Sequence, residues 1–160
     1  MTATNTRYFP ILQDGIHACL FDLDGVLTQT AKIHAAAWKA MFDAFLQERA
    51  TQNGEPVVPF ALPADFTRYV DGRLRQDGVR SFLASRGIAL PDGTPNDPPS
   101  AHTVSSLGAR KNDHFQAILQ RDGVDVYPAS VRFVEAVRAE GMRTAVVSAS
   151  RNCQAVLSAA

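Results

Sequence analysis

Two aspartates one residue apart stand out, Asp22 and Asp24 in the run Phe21-Asp22-Leu23-Asp24-Gly25-Val26-Leu27-Thr28. In an extended strand, residues i and i+2 point to the same side. Both carboxylates are therefore expected to converge where the strand ends, and Gly25 lets the chain turn sharply away. Two close carboxylates call for a proton or a cation between them. Magnesium is the natural cation for a few oxygens plus a phosphate. The C-terminal end of a parallel strand is also where open α/β sheets bind ligands. The bland reading is a polar strand end followed by a turn. It leaves two charges at a nearly buried position without a purpose, so phosphate chemistry is the better reading.

The elements that must hold these carboxylates follow from hydrophobic periodicity. Residues 16–23 (IHACLFDL) are short, mostly apolar and followed by glycine, which predicts a buried strand. Trp38, Met41, Phe42 and Phe45 fall at i, i+3, i+4 and i+7 of a helix, with Thr30 as its expected N-cap and Asn53-Gly54 as its end. Residues 55–63 carry three prolines and read as a loop. Val79, Phe82 and Leu83 form a second helical face closed by Gly87. Four prolines between Pro91 and Ser100 predict an exposed, mobile loop.

A third helix is expected from about Val104 to Gln120. Its stripe of Leu107, Phe115, Ile118 and Leu119 also contains Lys111. Pro128 suits the first position of a fourth helix, in which Phe133, Val134 and Val137 face the core and which Gly141 stops. Residues 143–149 (RTAVVSA) predict a second buried strand, and Ser148 to Asn152 lead into a last helix. No internal repeat is present. The order implies an α/β fold with a parallel pair of strands. The core comprises residues 1–29 and 122–160, and a helical insertion spans 30–121.

Composition sets outer limits. The chain has 160 residues, 46% hydrophobic and 20% charged, which is ordinary for a globular protein. Sixteen basic residues balance sixteen acidic ones, so there is no net field to draw nucleic acid or an anionic membrane, and any anion site must be local. Cys19 and Cys153 form no metal motif and are expected as reduced, buried thiols. No run approaches the length of a membrane span, and residues 1–15 lack the apolar stretch of a secretory signal. A cytoplasmic protein is the simplest expectation.

With these residues in view, the sequence resembles the haloacid dehalogenase superfamily of phosphotransferases. FDLDGVLT matches its first motif, and Ser148 in TAVVSAS matches the serine or threonine that closes a strand as its second. His34 and Trp38 in IHAAAW, Lys111 in RKNDHF, Val126-Tyr127-Pro128 and the run SASRN make the β-phosphoglucomutase-like branch the most similar. The resemblance implies a partial Rossmann-like α/β core with an inserted α-helical cap of the C1 type. It implies magnesium at the Asp22 carboxylate and the Asp24 carbonyl. Asp22 is then the nucleophile that becomes an aspartyl phosphate, and Asp24 the general acid and base. Gly25, Ser148, Ala149, Ser150, Arg151 and Asn152 surround the phosphoryl group, and Arg75, Lys111, His34 and Trp38 meet the rest of a small phosphorylated sugar.

Each role has an ordinary alternative. Ser148 reads equally as a strand-end N-cap, Arg75 as an exposed helix-start arginine, and His34 as a structural histidine packed on Trp38. Lys111 either snorkels to solvent or points into the interface of cap and core. Family members continue through further strands that bring a lysine and more magnesium ligands, so this chain is expected to be truncated and weakly active. An exposed sheet edge raises self-association against the family's monomeric habit. Three functions remain: a sugar phosphomutase, a sugar-phosphate phosphatase and a catalytically weak remnant.

Overall fold

A computed structural model of the chain describes residues 15–160. Expectations for residues 1–14 lie outside the described residues. Strand β1 (Ala18–Phe21) is followed by α1 (Thr30–Asn53), a π-helical turn (Phe66–Val70), α2 (Arg75–Ser85) and α3 (Val104–Asp122). Then come α4 (Pro128–Ala139), β2 (Arg143–Val146) and α5 (Cys153–Ala159). β1 and β2 pair in parallel, with Ala18 opposite Arg143 and Phe21 opposite Val146. The fold is thus α/β with a short parallel sheet, as the sequence predicts.

Local chemistry sets the helix limits. α1 stops at Gly54, whose left-handed φ of 69° lets its N–H return to the Ala50 carbonyl. α3 starts at Thr103, whose hydroxyl accepts from the Ser106 N–H at 3.1 Å. Pro128 occupies the first position of α4, where its missing N–H costs nothing.

Two apolar clusters hold the described residues together. The larger joins Trp38, Met41, Phe42, Phe45, Phe60, Val79, Phe82 and Leu107, all between residues 30 and 121. The smaller joins Leu23 after β1 and Val156 of α5 to Ile33, Ala37, Phe115 and Leu119 at one end of the α1–α3 pair. The described part of the strand regions is therefore tied to the helices by the helices' own residues.

Several expectations are corrected. Thr30 is not a cap: it is the first helical residue, and its hydroxyl bonds Asp24 instead of the helix backbone. The strands are half-buried, with Leu20 70% exposed, because a two-stranded ribbon presents more surface than the described helices cover. Phe133 is 44% exposed and leans edge-on against Phe21 at 6.1 Å, while Val137 supplies the buried contact of α4. Cys19 and Cys153 are free thiols but only partly buried. The sequence carries no periodicity for the π-helical turn, in which Asp71 N–H reaches back to the Phe66 carbonyl at 3.0 Å.

The loop from Pro91 is exposed yet well tied. Asp97 accepts from the Thr94 N–H, the Thr94 hydroxyl and the Thr103 hydroxyl at 3.1, 2.8 and 2.7 Å. These bonds hold its carboxyl below the usual carboxylate range. Gly93 has φ +68°, and a Cβ there would collide with Asp97 and Thr103. Gly93→Ala is expected to cost at least about 1 kcal/mol, read as a lowered melting temperature.

Candidate active site

The site forms where five parts of the chain meet. The turn after β1 brings Asp24 and Gly25. Gly25 takes φ +80°, and Thr28 closes the turn by bonding the Leu23 carbonyl through both its N–H (3.0 Å) and its hydroxyl (3.1 Å). The first two turns of α1 place Thr30, His34 and Trp38 four residues apart on one face. The start of α2 brings Arg75, and the middle of α3 brings Lys111 and Asn112. The segment after β2 brings Ser148 to Asn152. Together they form a cleft of about 670 Å³; Asn112 and Ser148 are not on its wall, but each bonds a residue that is.

Asp24 is held from both sides. Its Oδ1 accepts from the Thr30 hydroxyl at 2.6 Å and its Oδ2 from the Ser148 hydroxyl at 3.3 Å. Ser148 in turn accepts from the Ser150 N–H at 3.0 Å, so one hydroxyl ties the carboxylate to the β2–α5 segment. Ser148 is not a helix cap, since Asn152 holds the N-cap position of α5; its hydroxyl instead joins Asp24 to the Ser150 N–H.

Opposite Asp24 lies a group of bases. Lys111 is only 4% exposed. Its ammonium sits 5.4 Å from the Trp38 ring and 5.0 Å from the Phe115 ring. It does not snorkel, and among the described residues no carboxylate pairs with it. Its Nζ lies 2.7 Å from His34 Nδ1. An ammonium only donates, so Nδ1 is the acceptor of a neutral imidazole. Burial, then the Lys111 charge, lowers the His34 pKa to about 4 against the pull of Asp24. Burial, then Arg75, lowers the Lys111 pKa to about 7, again opposed by Asp24.

Arg75 donates to Asn112 Oδ1 at 3.0 Å, and Asn152 Nδ2 donates to the same oxygen at 3.1 Å. Burial and the Arg151 charge lower the pKa of Arg75, while Asp113 opposes them. The lining also holds Arg73 and Arg151, so four cationic side chains face only Asp24 and Asp71. A chain with no net charge has thus concentrated cations in one place, which suits an anion.

The structure gathers most of the expected residues: Asp24, Gly25, His34, Trp38, Arg75, Lys111, Ala149, Ser150, Arg151 and Asn152 all line the cleft. Trp38 contributes an edge only, being 4% exposed and stacked on Phe42 at 5.3 Å. Asp22 is not on the wall. It is exposed at the strand end, and its Oδ1 accepts from the Leu23 N–H at 2.8 Å. Sequence reasoning missed Thr30 as a site residue, because hydroxyls at helix starts suggest caps. It also missed Phe66, Val70 and Arg73, which the π-helical turn and Gly72 aim at the cleft.

Comparison with known proteins places this arrangement. A family model described as haloacid dehalogenase-like hydrolase matches residues 16–160. A beta-phosphoglucomutase from Mycobacterium tuberculosis is 57% identical over 146 residues, covering 91% of this chain and 56% of that protein. The chain thus spans little more than half the length of this curated relative. Among solved structures, mutant CbbY from Rhodobacter sphaeroides in complex with xylulose-(1,5)bisphosphate matches with a TM-score of 0.62 at 19% identity, covering 90% of this chain and 56% of that one. Beta-phosphoglucomutase from Clostridium difficile gives 0.60 at 22% identity, covering 89% and 56%. Strand-end aspartates, a serine closing the second strand and a family match over nearly the whole length lead to one assignment: the chain belongs to the haloacid dehalogenase-like hydrolase family.

Proposed function

We propose that the cleft transfers a phosphoryl group of a small sugar phosphate through an aspartyl phosphate, most like a β-phosphoglucomutase converting β-glucose 1-phosphate to glucose 6-phosphate. The observation that carries this reading is the cation group, buried Lys111 and half-buried Arg75, facing Asp24 at the strand end. An anion is what such a group lacks. In this reading residues 30–121 are a cap over a core of 1–29 and 122–160, and the setting is cytoplasmic.

An Asp22 oxygen attacks phosphorus, the bond from phosphorus to the leaving oxygen breaks, and Asp24 delivers a proton to that oxygen. Asp24 then takes the proton of the acceptor hydroxyl as the acceptor attacks the aspartyl phosphate. Thr30 and Ser148 fix the Asp24 carboxylate for both steps. Ser148 and residues Gly25 and 149–152 surround the transferring group, Arg75 and Lys111 grip the other end of the sugar phosphate, and His34 holds Lys111 in place. Trp38 gives the sugar an apolar wall.

Magnesium fits the oxygen donors of the Asp22 carboxylate and the Asp24 carbonyl, a set that leaves positions for water and phosphate. Among the described residues no group of three or more acidic, histidine or cysteine side chains adds to it. When bound, the ion would neutralise charge on the phosphoryl oxygens.

The test is intact mass after incubation with magnesium and acetyl phosphate. One added phosphoryl group, absent in Asp22→Asn, is the expected result. No adduct on a chain with native circular dichroism would overturn the reading and favour a remnant. A phosphatase, with water as acceptor, is favoured by the exposure of Asp22. Arg75→Ala separates the two. It is expected to reduce transfer to a sugar phosphate by about tenfold or more while leaving hydrolysis of acetyl phosphate nearly intact.

A further inference from the structure

Arg75 begins α2, yet its side chain is placed by α3. A Cβ built on Gly108 would stand 3.4 Å from Arg75 Cδ and 3.7 Å from Cγ. The arginine stem therefore lies directly across the bare backbone of α3 at this buried residue. Glycine is disfavoured inside a helix, so its place here needs a packing reason. One turn further on, Asn112 Oδ1 takes the guanidinium NH2 at 3.0 Å and, on its second lone pair, Asn152 Nδ2 at 3.1 Å. Both partners are donors, which fixes the amide orientation. Gln116 Nε2 closes the chain of bonds onto Asn152 Oδ1 at 3.4 Å.

On these contacts we infer that Gly108 and Asn112 are positioning residues, forming a seat on α3 that holds Arg75 toward the cleft with its charge left for a bound anion. The chemistry of the acceptor carries the second half of that statement. A carboxylate is the strongest and commonest partner for a half-buried guanidinium. A carboxylate at position 112 would also stand beside Lys111 in sequence and cancel the cations the cleft gathers. An amide oxygen supplies the same geometry without a charge. The link through Asn152 also sets the seat against the β2–α5 segment, so cap-side and strand-side anion ligands share one bond network.

The inference rests on the proposed phosphate-binding reading, and the experiment separates the two. Inorganic phosphate is titrated into the full chain, with the fluorescence of Trp38 and calorimetry as readouts, alongside thermal melting. Asn112→Asp keeps both acceptor bonds, so its melting temperature is expected to match or exceed that of wild type. Its phosphate affinity is expected to fall about tenfold or more, as an added negative charge near the anion requires. Arg75→Ala is expected to lose a similar factor, and the double variant little further, because both act on one guanidinium. Wild-type affinity in Asn112→Asp would overturn the inference alone. Failure of the wild-type chain to bind phosphate would overturn the anion-site reading, and the inference with it.

Discussion

Lys111→Met is expected to make the protein more stable at neutral and mildly acidic pH and, at the same time, to remove its hold on phosphate. The ordinary lysine value is 10.5, whereas in the fold Lys111 gives up its proton at about pH 7. Between those limits the unfolded chain binds more protons than the folded one, so stability rises with pH across that window. Below it both states are protonated, and the fold carries the full cost of a buried ammonium. At about 1.4 kcal/mol per unit, that cost reaches up to about 5 kcal/mol. Methionine keeps the packing against Trp38 and Phe115 without the charge, so the curve should flatten between pH 7 and 10. His34 adds a second slope on the acid side, where stability is lost as pH falls from 6.5 through about 4. Urea unfolding at intervals from pH 5 to 9 reads both slopes. A variant less stable than wild type at pH 6 would show that the rings and Asp24 already offset the cost. Phosphate binding should weaken in the wild type as pH rises through about 7, since the ammonium that attracts the anion disappears.

Phe42→Ala is expected to cost about 3–5 kcal/mol, a large part of the stability of an ordinary domain. The ring is fully buried, and its centroid lies 4.2 Å from that of Phe82, 5.2 Å from Phe60 and 5.3 Å from Trp38. Phe60 is pinned by its backbone, its N–H to Asp43 at 2.8 Å and its carbonyl to Lys39 at 2.9 Å, so it cannot slide into the void. The cavity therefore persists, and Trp38 loses the surface it stacks on. Denaturant unfolding measures the loss, and the Trp38 emission of the native state should shift as its packing loosens. Leu74→Ala is the internal control. Leu74 is 76% exposed, and its loss should move stability by no more than about 0.5 kcal/mol.

The sequence announces the parts of this molecule whose pattern is local. Asp24 and Gly25 are legible because a strand end and a turn are fixed by neighbours. The helical faces of Trp38, Phe42 and Phe82 are legible because helices repeat every few residues. What it announces less well depends on partners far along the chain. Thr30 looks like a cap until the turn after β1 places Asp24 in front of it. Lys111 is an anomaly in an apolar stripe until His34, 77 positions away, meets its ammonium. Asn112 has no periodic signal, since its role is defined by one residue of α2 and one beyond β2. Strand burial is less complete than apolar content suggests, for a related reason. Apolar content shows that a surface can be covered, and the described residues leave Leu20 largely uncovered.

The pairing of β1 with β2 joins residues more than a hundred positions apart, Ala18 to Arg143. Closing so long a loop early would be entropically costly and slow. The helices shorten the search. α1 and α3 run antiparallel: His34 near the start of α1 meets Phe115 of α3, and Phe45 and Glu48 further along α1 meet His102 just before α3. Once they associate, the chain leaving β1 and the chain leading to α4 emerge side by side. The effective loop left to close is then a fraction of its length in sequence. The helical segment is accordingly expected to act as the folding nucleus of the described chain, with the sheet and the Asp24–Ser148 contact forming last. Phe42→Ala should therefore slow folding, whereas a lesion in the pairing, such as one at Val146, should chiefly hasten unfolding.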